Sequence, residues 1–496
     1  MPSATLTIDD LYRIAVPGDP RLRPDGGAVA YVLVTADREA DENRSEIWLA
    51  VPGERPRRLT HGPHDSCPRW SPDGRTLAFL RPVDGKPQVH LLPMDGGEPR
   101  VLTAAELGAG APVWSPDGGR IAYAGPYSEG KVDPHAPVVA DRLDYKADGA
   151  GLLRGITTHL FVTDVATGAT ERLTSGDFHV SEPSWSPDGR RLAFTASMDE
   201  DRDLVVSAAA YAVDASGGKP RRLTGDELVC TGVWWLGERL VVSAVDAARP
   251  MGHTRLYELG PEPRPVCEID RNVMTGAPGY PGAAPQLHNG EIVFCARDGG
   301  FTHLYRADGT KLIRGDQVVS GVSAAAGRIA YVAATPYSAG NLYLTDGDGE
   351  ATTLAAYQLA GVRLFTPGAR AFTLGDGTTV EAFVLRDDTR GEPGPLLLDI
   401  HGGPHNAWAP VFDGVHLYHQ VLAARGWTVL LVNPRGSDGY GEAFYTAVHG
   451  AWGVADADDL LGPVDTLIQE GVADPERLAV TGYSYGGYMS CWLTTR

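Results

Sequence analysis

The pattern Gly482-Tyr483-Ser484-Tyr485-Gly486 concentrates the chemistry of this sequence. Glycines two residues either side of a serine permit a strand-to-helix turn too tight for side chains, and that turn holds the hydroxyl exposed on a strained backbone as a nucleophile. The N–H of the following residue, Tyr485, then points at the oxyanion that forms when Ser484 attacks a carbonyl. A second donor is expected from His401-Gly402-Gly403-Pro404. Consecutive glycines let backbone approach a substrate, Gly403 keeps its N–H, and Pro404 has none to give. His401 is read as part of this loop rather than as a base, and His405, His416, His419 and His449 as surface or packing residues. The chemistry would be acyl transfer through a serine ester. The alternative for the serine pattern is a structural glycine-rich turn.

Such groups need elements to hold them. Leu478-Ala479-Val480 reads as a strand ending at the serine turn, and Tyr488 to Thr495 as the helix after it. Pro395 to Ile400 is a short apolar run suited to a buried parallel strand that delivers His401; Thr428 to Val432 is another, and Val380 to Leu385 alternates. Leu417, Val421 and Leu422 have helical spacing. Leu460, Leu461, Val464, Leu467 and Ile468 mark one helix face, with Asp456, Asp458 and Asp459 in the first turns, where the dipole favours negative charge. From about residue 357 onward, strand and helix alternate, which predicts an α/β domain with a largely parallel sheet.

Upstream the grammar differs. Ser71-Pro72-Asp73-Gly74 precedes Leu77-Ala78-Phe79, Ser115-Pro116-Asp117-Gly118 precedes Ile121-Ala122-Tyr123, and Ser186-Pro187-Asp188-Gly189 precedes Leu192-Ala193-Phe194. Arg23-Pro24-Asp25-Gly26 is a fourth copy, and degenerate copies lie near Gly237, Gly290 and Gly327. Proline presets the turn, Asp caps it, Gly takes positive φ, and a strand follows. Seven units spaced mostly about 40–50 residues apart predict an all-β, seven-bladed β-propeller over residues 19–356, after an N-terminal segment 1–18. A two-sheet sandwich is the alternative. One interval is long, and the extra residues from Tyr127 to Ile156, including Gly130-Lys131-Val132-Asp133-Pro134, are read as a face insertion that either carries contacts or is a mobile loop. The acidic run Asp199 to Asp203 is read as a solvated hairpin tip, with binding of a cationic substrate group as the alternative.

Composition narrows the partners. Lys and Arg number 43 against 63 Asp and Glu, a net charge of −20 that repels nucleic acid and anionic lipid. No apolar run reaches the roughly 18 residues needed to span a bilayer, and Met1 to Asp10 has no signal-peptide character, so a cytoplasmic protein without a membrane partner is expected. Five scattered cysteines, without a C-x-x-C pair, suggest buried thiols rather than disulfides or zinc, and no cofactor is expected. Oligomeric state leaves no signal.

A propeller followed by an α/β domain with these motifs resembles the prolyl oligopeptidase family of serine peptidases, family S9. The stretches that carry the resemblance are His401 to Pro404, Asn433-Pro434-Arg435-Gly436-Ser437 with Gly439-Tyr440-Gly441, Asp474-Pro475-Glu476-Arg477, and Gly482 to Tyr488. The His-Gly-Gly-Pro loop is most similar to the acylaminoacyl-peptidase and dipeptidyl-aminopeptidase-like branch. The resemblance implies an α/β-hydrolase domain over 357–496, Ser484 as nucleophile, Gly403 and Tyr485 N–H groups as the oxyanion hole, and short peptides as substrates screened by the propeller. It also implies an Asp and a His after the serine, and residues 485–496 contain neither. The expectation is therefore that the hydrolase domain is present only in its N-terminal part, truncated after the nucleophile turn. The chain would be inactive alone, with on the order of 100 residues or more following in a longer product. An esterase on the same scaffold, or a non-catalytic propeller binding module, are the alternative functions.

Overall fold

The structure, a computed structural model, describes residues 4–130, 133, 135–277, 280–347 and 350–495. Between Ala15 and Ala355 the chain forms five antiparallel four-stranded sheets in succession and then one of eight strands. The eight-stranded sheet is two four-stranded units joined by one parallel pairing, Thr302 to Val318. Each turn works as its residues dictate. The hydroxyls of Ser71, Ser115 and Ser186 donate to Asp73, Asp117 and Asp188 at 2.6, 2.5 and 2.6 Å, and Gly74, Gly118 and Gly189 take φ near +70° (+68°, +72° and +67°).

The residue before each of these serines ties one sheet to the next. Trp70 Nε1–H donates to the Arg21 carbonyl at 2.8 Å, Trp114 to Arg69 at 3.0 Å, and Trp185 to Val113 at 3.0 Å, each acceptor lying on the preceding sheet's first strand. The array then closes on itself. Leu22, Tyr31 and Leu33 of the first sheet pack with Ala330, Val332 and Leu342 of the last, and Leu22 N–H donates to Ser323 Oγ. No described sheet combines strands from the two ends of the array, so closure rests on packing rather than on a shared strand.

Two segments differ from their sequence reading. Arg202 and Asp203, in the acidic run, are drawn into an ion network with Arg142, Asp144 and Asp177, and Asp203 also accepts the Leu143 N–H at 2.8 Å. That end of the run is therefore neither a solvated tip nor a free carboxylate patch, because its charges neutralise the insertion's arginine. Lys131, Val132 and Pro134 of the insertion lie outside the described residues, as do residues 1–3 of the N-terminal segment. The described N-terminal residues pair and pack with the second domain, Ala4–Thr5 in parallel with Val362–Arg363 and Leu6 and Ile14 on Phe412 and Leu417, while Asp9 and Tyr12 meet Arg38 of the array.

The second domain is a five-stranded sheet ordered Gly368–Thr373, Thr379–Leu385, Thr428–Asn433, Gly394–Ile400 and Ala473–Gly482, whose last three members run parallel. Helices Ala455–Gln469 and Tyr485–Leu493 cover one face through Leu460, Val464, Leu467, Tyr485 and Met489. Helix Tyr418–Ala424 covers the other, where Trp408 and Phe383 pack. The strand carrying the serine turn is the sheet's edge, with Leu478 46% exposed.

Candidate active site

Ser484 stands between the strand Ala473–Gly482 and the helix Tyr485–Leu493 at φ +57°, ψ −117°, a positive φ that non-glycine residues avoid. The flanking glycines are steric requirements. A Cβ at Gly482 would lie 2.5 Å from the Gly486 carbonyl carbon, and one at Gly486 would lie 2.0 Å from the Ile400 oxygen. The serine is exposed while Tyr485 behind it is 2% exposed. Tyr485 O–H donates to Asp456 Oδ2 at 2.7 Å, and Asp456 Oδ1 accepts the Gly453 N–H at 2.8 Å. Burial, and then the Asp456 charge, push the Tyr485 phenol up, so it stays a donor, while burial also raises Asp456. With its side chain committed to Asp456, Tyr485 opens the helix, where a backbone N–H has no intrahelical acceptor.

The loop after Gly394–Ile400 lies against this turn. A Cβ at Gly402 would sit 3.2 Å from the Tyr483 oxygen, a tight contact that glycine avoids, and 3.5 Å from the Ser484 Cβ. Gly403 adopts φ +129°, where a Cβ would meet the His405 nitrogen at 2.4 Å. His401 is 4% exposed, and burial lowers its pKa to about 4, so it is neutral. Its Nδ1–H donates to the Gly402 carbonyl at 2.8 Å, which leaves Nε2 to accept the Ser437 hydroxyl at 3.0 Å. Both ring nitrogens thus brace the loop. Asn433 and Arg435 are braces too: Asn433 exchanges hydrogen bonds with the Trp408 backbone, and Arg435 holds buried Asp459 through its N–H and guanidinium.

Ser484, His401, Gly402 and Gly403 line one cavity of about 920 Å³. Its far side comes from the sheet array, through Tyr280, Pro281, Arg297, Gly300 and Val318. Arg297 is 2% exposed, donates to Asn406 Oδ1 at 2.9 Å and the Ala407 carbonyl at 3.1 Å, and faces Asp438 at 3.9 Å. His416 and His419 also line the cavity. His416 shares a 2.6 Å contact with Asp413, whose charge raises the imidazole against the effect of burial, and His419 shares one of 2.6 Å with Asp399. The sequence reading gave these two histidines only surface or packing roles; Asp413 three residues before His416 was the available signal. His449 does not line the cavity.

With this geometry in place, known proteins match. The sequence profile of the prolyl oligopeptidase family matches residues 414–496. An uncharacterized peptidase of Bacillus subtilis strain 168, YuxL, is 31% identical over 531 residues, covering 98% of this chain and 80% of the relative. The chain belongs to the prolyl oligopeptidase family. Within it, dipeptidyl aminopeptidase BIII of Pseudoxanthomonas mexicana is 43% identical over 102 residues, 21% of this chain and 14% of that protein. The acylaminoacyl peptidase of Pyrococcus horikoshii superposes with a TM-score of 0.83 at 24% identity, over 97% of this chain and 75% of that one. The array of sheets followed by the α/β domain is therefore an architecture shared with that structure. Among the described residues, no helix is long and apolar enough to cross a membrane.

Proposed function

We propose that this chain carries the propeller and the nucleophile of a serine peptidase that hydrolyses short peptides. Seven blades are read from the five four-stranded sheets and the two units of the eight-stranded one. The observation that carries the proposal is Ser484, held at positive φ on the cavity that the Gly402-Gly403 loop also lines. Ser484 Oγ attacks the scissile carbonyl carbon and its proton passes to a base; the Gly403 and Tyr485 N–H groups stabilise the oxyanion; the amine leaves with a proton, and water hydrolyses the ester. The base and its acid follow the serine in the chain order Ser, Asp, His of this scaffold. Residues 485–496 contain neither type. The exposed edge strand behind Ser484 and the greater length of the relatives support a sheet that continues past it.

Array residues such as Arg297 and Val318 on the far wall of the cavity support selection by substrate size. The acylaminoacyl resemblance favours N-acylated peptides; the dipeptidyl relative keeps free-amine peptides as the rival set. Five unpaired thiols support a cytoplasmic setting.

A fluorophosphonate probe tests the assignment. The 496-residue chain should label weakly, because without a base the hydroxyl is a poor nucleophile. A product extended to the relatives' length should label strongly at Ser484, and S484A should abolish that labelling. Strong labelling of the short chain that disappears in H416Q would move the base to His416. In the extended product, faster turnover of an acetylated than of a free-amine peptide supports the acylaminoacyl reading, and casein cleaved as fast as a short peptide overturns size selection.

A further inference from the structure

His253 sits on the connection between strands Arg239–Asp246 and Arg255–Glu258 of the array, and its side chain is fully buried at the seam with the α/β domain. Neither ring nitrogen has a hydrogen-bond partner. Orphaned buried nitrogens are rare and costly, so such a group calls for an explanation. Two carboxylates face it. Asp270 Oδ1 lies 3.6 Å from His253 Nδ1, and Glu442, from the α/β domain, accepts the backbone N–H of His253 on Oε1 at 3.3 Å. One ligand atom from each of the three residues lies within 4.8 Å of the others. Both carboxylates rest in cradles that a side chain would fill: a Cβ at Gly252 would be 2.5 Å from Glu442 Oε1, and one at Gly441 2.6 Å from Asp270 Oδ2.

We infer that His253, Asp270 and Glu442 form a binding site for a divalent cation of the zinc class that fastens the sheet array to the α/β domain. One imidazole nitrogen with two carboxylate oxygens is a zinc-type donor set, with water completing a tetrahedron. Bonds of about 2.0–2.2 Å in that geometry put donor atoms roughly 3.4 Å apart. The His253–Asp270 pair is already near that spacing, and the Glu442 N–H, which donates to Asp270 Oδ1 at 2.9 Å, holds the carboxylate there. Arg255 holds Glu442 Oε2 at 2.6 Å, which orients the carboxylate and leaves the second lone pair of Oε1, beside the one that accepts the backbone N–H of His253, for the ion.

The test is calorimetric titration of zinc chloride into tag-free, chelator-stripped protein. Expected is one saturable site per chain, weakened on the order of tenfold or more in D270N and E442Q and lost in H253Q, with a zinc-dependent rise in melting temperature that D270N does not show. H64Q, at an exposed histidine elsewhere, should bind as the parent does. Asp270 is exposed, so D270N still reads the site if H253Q does not fold. No saturable zinc binding, or binding undiminished in D270N, overturns the inference.

Discussion

At the scale of single residues, the site is a set of steric permissions more than a set of charges. Gly486 shows it most directly, since a methyl there would press on the Ile400 carbonyl at 2.0 Å, with Gly486 in a packed helix and Ile400 at the end of a sheet strand. Gly486→Ala is expected to cost about 3 kcal/mol in urea unfolding, the upper end for overpacking. His401 yields a pH prediction. Its folded pKa of about 4 lies below the usual 6.5, so the unfolded chain binds a proton more readily between those values. The neutral ring's contribution is present above pH 6.5 and is lost as pH falls toward 4. The difference amounts to about 3 kcal/mol at about 1.4 kcal/mol per unit. Urea midpoints of the parent and His401→Asn at pH 7 and about pH 4.5 check this; an equal acid loss in both proteins would refute it. These backbone-determined positions were legible in the sequence because glycine spacing records the turn itself. Arg297 and Asp456 were not, since each acts through a partner far along the chain, Asn406 for one and Tyr485 for the other.

At the scale of elements, the repeated turns were readable because serine, proline, aspartate and glycine act on one another within four residues. The tryptophan before three of them was overlooked, although Trp70, Trp114 and Trp185 are as regular as the turns. Their acceptors lie one sheet earlier, so local grammar does not expose the tie. Trp185→Phe removes the donor to the Val113 carbonyl at a 6% exposed position and should cost about 2 kcal/mol, from a lost hydrogen bond and an acceptor left bare. Trp48 is the control, because its Nε1 is buried without a partner. Trp48→Phe should be milder by at least about 1 kcal/mol in the same urea series; equal costs would show that ring volume, not the tie, decides. The strand before Ser484 also begins earlier than expected, at Ala473 rather than Leu478. Asp474-Pro475-Glu476-Arg477 has no alternation to reveal it, and its pairing with Gly394–Ile400 carries a register shift.

At the scale of the whole molecule, the order of elements along the chain and their grouping in space diverge at the N-terminus. Leu6 and Ile14 pack on Phe412 and Leu417, and Arg13 donates to the Ala360 carbonyl at 2.7 Å, so the first residues serve the second domain. The sheets from Ala15 to Ala355, by contrast, draw their cores from neighbouring sheets, as in a repeat protein. Where the array meets the α/β domain, polar contacts join Arg297 with Asn406, Asn272 with Asp438 at 3.0 Å, and Arg255 with Glu442, beside ring contact of His253 with Tyr445 and packing of Ala339 on the Phe412 cluster. The main cores of the array are built from its own sheets, so separating the halves leaves them whole. Residues 15–355 expressed alone should give a β-type circular dichroism spectrum and a single cooperative melt. Removing residues 1–14 should lower the melting temperature of the full chain, which loses the Leu6 and Ile14 packing, while adding them to the isolated array should change little, since they meet it through the exposed Arg38 with Asp9 and Tyr12. A broad, non-cooperative transition for 15–355 would show that the α/β domain is required to close the ring. A gain in the array's stability on adding residues 1–14 would instead place that segment with the sheets.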